Sequence, residues 1–155
     1  MDLKELKSKY AELAGKYKLP KFEELNENFE IERSKRIGET LLRTIRKVMM
    51  EKIVNSAGFL EFLLNPVNAP RMYMIYLKSM KQEDMKEIDK VYGELSALIL
   101  SSLKLEVDYS EKGEAEAIKQ IAKKWEEVKP GFRKIFSDIQ KPEKSEERKE
   151  KTYFG

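Results

Sequence analysis

Glu23-Glu24-Leu25-Asn26-Glu27 places three carboxylates and a carboxamide within five consecutive residues. Clustered hard oxygen donors of this kind can hold magnesium and, through it, a triphosphate. Carboxylates and lysines are also most of the reactive chemistry on offer, because the chain contains no histidine and no cysteine. The imidazole proton shuttle, the thiolate nucleophile and every zinc site built from either are therefore absent. Histidine-dependent serine or threonine hydrolysis and Glu-x-x-His di-iron bundles are excluded on the same ground. A Ser–Lys dyad stays open in principle, but no Ser/Lys spacing stands above chance in so lysine-rich a chain.

The acidic run resembles the first half of the metal-binding motif of the all-α nucleotide pyrophosphatases. That resemblance implies a second acidic pair, a Glu and an Asp separated by two residues, on the next helix. Residues 33–64 offer only Glu39, Glu51 and Glu61, with no aspartate, so half of the cage is missing. A solvated acidic connector is the favoured reading of this run, and no metal or cofactor is expected.

A second set is cationic. At 100° per residue Arg33, Arg36, Arg43 and Lys47 fall on one side of a helix, opposite Leu41, Ile45 and Phe59. Such a stripe can track a phosphate backbone or dock an acidic partner. Thr40, Glu51 and Val54 interrupt it, and Glu23, Glu24, Glu27, Glu30 and Glu32 precede it, so internal pairing is the favoured alternative.

Two further segments suit partner contacts. Met72–Met80 is apolar nearly all round, with Met72, Tyr73, Met74, Ile75, Tyr76, Leu77 and Met80. The spacing predicts a short helix buried in the middle of a bundle. Were it an edge instead, its methionines and tyrosines would make it the best place for a homodimer or partner contact. The charged stretch after Pro142 buries nothing and reads as a flexible tail, residues 142–155. Tyr153 and Phe154 at its end can anchor a short linear motif in a partner's groove.

These side chains must be held by helices. Leu3, Leu6, Tyr10, Leu13 and Tyr17 step by three and four along a first helix that Pro20 ends. A long helix is predicted over 33–64, and Asn65-Pro66-Val67-Asn68-Ala69-Pro70 breaks it, with Asn68 as the next N-cap. Another helix runs over about 82–104, with Met85, Ile88, Val91, Tyr92, Leu95, Ile99 and Leu103 on its inner face. Residues 103–109 alternate with period two, yet have no second strand to pair with, so a helix end is preferred. Ser110 caps the last helix, 110–140, which bends or divides at Pro130. Trp125 is expected to be largely buried among Phe132, Phe136 and residues of the long helix.

The fold expected is all-α, a mostly antiparallel bundle of five or six helices in a single domain over residues 1–141. An apolar fraction of 41% is sufficient for a core, while charged residues reach 38%, against the roughly 25% of ordinary domains. Lys/Glu enrichment with three glutamines and no cysteine matches the composition of hot-adapted proteins. A net charge of +3 argues against a dedicated nucleic-acid coat. The start, Met1-Asp2-Leu3-Lys4-Glu5, lacks a leader's apolar region, and no run reaches the roughly 20 residues that cross a bilayer. A cytoplasmic location without membrane contact is the expectation. Leu19-Pro20-Lys21-Phe22-Glu23-Glu24-Leu25 and Leu64-Asn65-Pro66-Val67-Asn68-Ala69-Pro70 resemble segments of uncharacterised archaeal all-helical proteins, a resemblance that brings no activity with it.

Three functions are weighed. The first is a non-catalytic protein-interaction or scaffold protein, with homo-oligomers possible. The second is a nucleic-acid-binding accessory protein using Arg33, Arg36, Arg43 and Lys47. The third is a magnesium-dependent nucleotide phosphohydrolase centred on Glu23, Glu24 and Glu27.

Overall fold

The computed structural model describes residues 2–33 and 40–139; the tail with Tyr153 and Phe154, and Arg36 of the cationic stripe, lie outside them. The chain is all-α. Among the described residues six α-helices follow one another as α1 (Leu3–Tyr17), α2 (Phe22–Phe29), α3 (Leu41–Leu64), α4 (Arg71–Lys78), α5 (Gln82–Val107) and α6 (Glu111–Ile139). No strand occurs among the described residues. None of the described helices is long and apolar enough to cross a membrane.

Backbone packing divides the chain into two compact units, Met1–Ser56 with Glu94–Glu127, and Ala57–Gly93 with Val128–Gly155. In the first unit, the α1 N-cap is Asp2, whose carboxylate accepts the Glu5 amide at 2.8 Å. The helix ends at Lys18, which adopts the left-handed conformation with φ 55° two residues before Pro20. Tyr10 is buried edge-on to Phe22 and donates its hydroxyl to the Pro20 carbonyl at 2.6 Å, tying α1 to the turn that follows it. Tyr17 and Lys16 both reach Glu111 at the start of α6, at 2.6 and 3.2 Å. Phe22, Leu25 and Phe29, spaced three and four apart, bury the inner face of α2. The acidic residues between them are left outside.

Three predicted element details are corrected. Arg33 belongs to a 3-10 turn (Ile31–Arg33), and the long helix begins at Leu41. α5 runs on through the alternating stretch to Val107, because Leu105 packs inward beside Gly113 while its neighbours face solvent. The N-cap of α4 is Pro70; Asn68 ends a 3-10 turn (Pro66–Asn68) instead. α6 continues through Pro130, and Ser110 caps it as expected, its hydroxyl accepting the Gly113 amide at 2.9 Å.

In the second unit Leu60, Leu63, Ile88, Val91, Val128 and Ile135 form the buried centre. Gly131 permits close contact between α6 and α5, since a Cβ there would stand 2.7 Å from the Glu87 carboxylate and 3.2 Å from Val91. α4 overturns the expectation of a buried helix. None of its residues is buried, and Met72, Met74 and Ile75 are 58%, 46% and 71% exposed. Tyr73 packs it against Phe59 at 5.7 Å and Phe62 at 5.4 Å. Its apolar residues surround the helix, and Met72, Met74 and Ile75 are the ones left facing water.

Candidate functional site

Within the first unit, α3 buries an arginine. Arg46 shares a helix face with Leu42, Met49 and Ile53, which lie four before, three after and seven after it, so the fold carries its guanidinium into the core at 1% exposure. Burying a charge is tolerated only when it is paired and hydrogen-bonded. Glu114 of α6, itself 0% exposed, takes the Arg46 Nε and, at 3.3 Å, Nη2. Nη1 donates to the buried Ser102 hydroxyl of α5, and Nη2 donates to Glu106 Oε1 at 2.7 Å.

Glu106 then gathers the neighbouring cations. Arg43 Nη2 donates to its Oε2 at 2.8 Å, and Lys47 Nζ stands 3.6 Å from the same oxygen. The Arg43 guanidinium also lies 5.7 Å from the centre of the Tyr109 ring. Burial opposes the Arg46 charge, but hydrogen bonds and attraction from Glu114 and Glu106 win, and its pKa rises. Hydrogen bonds from Arg46, then from Arg43, hold the Glu106 carboxyl down at about 2, with some opposition from burial.

The sign of the pH dependence follows. Glu106 has a lower pKa folded than its ordinary 4.5, so its contribution is complete above that value and is lost as pH falls toward 2. Acid unfolding followed by circular dichroism is expected to show a stability loss between these limits that Glu106→Gln reduces. An unchanged acid limb in that variant would contradict the pairing.

Beside this cluster a groove of about 580 Å³ opens between α3 and α5. Met50, Val54, Ile99 and Leu103 supply apolar walls, and Lys47, Glu51, Asn55 and Glu106 supply polar edges. The outward face of α5 continues from it. Leu100, Leu103 and Val107 are 64%, 55% and 82% exposed, and Val54 across the groove is 48% exposed. At 100° per residue Ser96, Ala97, Leu100, Leu103, Lys104 and Val107 share this side, with Lys104 its one charge. For a chain that is 38% charged this surface is anomalous.

The predicted residues are thus distributed unequally. Arg43 and Lys47 come together on Glu106. Arg33 belongs to the 3-10 turn and not to α3, and pairs with Glu30 at 3.0 Å. Glu23, Glu24 and Glu27 point outward from α2, with Glu23 3.6 Å from Lys7. Among the described residues no three acidic side chains are placed to hold a metal ion. In the second unit Asp84 and Asp138 approach as a pair, and their hydrogen bond raises the Asp138 pKa.

Sequence reasoning missed Arg46, Ser102, Glu106 and Glu114, and expected Leu103 to face inward. Signals existed for three of them. Arg46 keeps the phase of Leu42 and Ile53, Glu114 that of Ile118 and Ile121, and Ser102 that of Leu95 and Leu98. Leu100 and Val107, for their part, fall out of phase with the inner stripe of α5. Comparison of the chain with protein-family models, with curated proteins and with solved structures yields no match.

Proposed function

We propose that this chain is a non-catalytic interaction module whose α5 face and adjoining groove receive an apolar helical surface. The exposure of Leu100, Leu103 and Val107 in one line carries this reading. Leaving three large aliphatic side chains mostly in water forgoes part of the about 1.5–3 kcal/mol that complete burial gives each, a cost that a docked surface recovers. The Arg46 cluster supports the same reading, because it pins α3, α5 and α6 together behind the face and so presents it pre-organised.

The nucleic-acid alternative draws less support. Arg43 and Lys47 both turn to Glu106, so their attraction for phosphate is reduced by a carboxylate that they share with Arg46. The phosphohydrolase reading lacks a converged set of carboxylates to rest on.

A photo-crosslinking residue introduced at position 103 tests the proposal in cells of the source organism. Discrete adducts are expected from that position and not from a control at the exposed Glu83. Identical adduct patterns from both positions would remove the support.

A further inference from the structure

Resting on the interaction reading, we propose that the surface covering the α5 face is the same face of a second copy of this chain. Three observations favour a self-partner. Ser96, Leu100, Leu103 and Val107 step by four, three and four, the spacing at which two helices interlock side chains along a seam. The face is graded in size, small at Ser96 and Ala97 and large at Leu100, Leu103 and Val107. An antiparallel crossing lays the large end of each copy over the small end of the other, as a two-fold contact requires.

The third observation is charge. Lys104 is the one cation on the face, and the exposed Glu51 lies across the groove on α3. Two copies related by a two-fold axis place opposite signs against each other. A foreign partner would need to present the same sparse pattern, an apolar strip with a single acid beside it. The seam from Ser96 to Val107 is about 16 Å long. One helix face of that length buries less than the roughly 1,200 Å² of a standard interface, so the dimer belongs with the weak, transient ones.

Sedimentation equilibrium of the full chain from about 5 µM to 1 mM tests this. The mass is expected to climb from 18.2 kDa toward twice that value across the range. Leu100→Lys and Leu103→Lys, each at an exposed position and checked for an unchanged circular dichroism spectrum, are expected to weaken association at least tenfold. Lys104→Glu is expected to weaken it several-fold, and adding Glu51→Lys to restore it, which a merely structural role for Lys104 does not predict. A mass fixed at 18.2 kDa throughout, or a dimer indifferent to both leucine substitutions, would overturn the inference. Failure here is distinguishable from failure of the module reading. A monomer that still gives a position-103 adduct with a different protein removes only the second copy as occupant, whereas a monomer without adducts removes both.

Discussion

Arg46→Met is expected to lower the free energy of unfolding by about 3–5 kcal/mol, the usual consequence of removing one partner from a buried ion pair. The reason lies in what stays behind. Glu114, with no exposed surface, keeps its charge in the core without the guanidinium that takes both of its oxygens, and Ser102 loses its donor. A domain of this size is stable by only about 5–15 kcal/mol, so the variant approaches the unfolding threshold at neutral pH. The pair Arg46→Met with Glu114→Leu is expected to recover most of the loss, since an apolar replacement of a buried ion pair is often neutral. Urea unfolding of the four proteins of the cycle isolates the coupling. A single-variant loss under about 1 kcal/mol would mean that Glu114 does not depend on Arg46.

Trp125→Ala is expected to cost a similar amount, about 3–5 kcal/mol, for a different reason. The indole is 8% exposed and lies against Phe29 of α2, ring centres 6.0 Å apart. Lys52 of α3 sits 5.1 Å from the indole centre and also donates to the Asn28 carbonyl, while Asn28 reaches the Glu126 carboxylate at 2.9 Å. One side chain thus serves as the packing surface for both α2 and α3. Truncation opens a cavity and loosens the cation at once, so Trp125→Phe, which keeps much of the surface, is expected to lose distinctly less. Denaturant titrations of both variants check the order, and equal losses would show that the ring's volume is not what matters.

Helix content was legible in the residues because apolar positions recur at three- and four-residue steps, as in Leu6 and Tyr10 or Phe22, Leu25 and Phe29. Burial of Trp125 followed from the same rule applied to Ile118, Ile121 and Trp125, whereas Phe136, expected on the same stripe, is 45% exposed. Periodicity misled at α4, where a run apolar on all sides reads as a buried helix although eight residues cannot be covered without neighbours on every side. It also misled at Leu103, which lies 80° around the helix from Leu95, at the edge of the stripe. The Arg46 cluster was hidden for another reason. Its members are 68 and 56 residues apart in sequence, and only tertiary packing brings an inward arginine on one helix to an inward glutamate on another. Arg43 and Lys47 were visible as cations, but their acceptor on α5 was not.

A rigid, ion-paired platform behind a mostly apolar face that carries the single charge of Lys104 is the physical picture that joins these observations. The ion cluster pairs Arg43 and Lys47 with Glu106, which weakens their pull on phosphate, and it fixes the helices that carry the leucines. Side-chain footprinting with a photo-activated carbene measures directly whether that face is covered in its working state. Labelling of Leu100, Leu103 and Val107 is expected to be strong in dilute purified protein and several-fold weaker in intact cells, while the exposed Leu3 and Val67 serve as the internal comparison. Equal labelling of the three α5 residues in both settings would contradict the account.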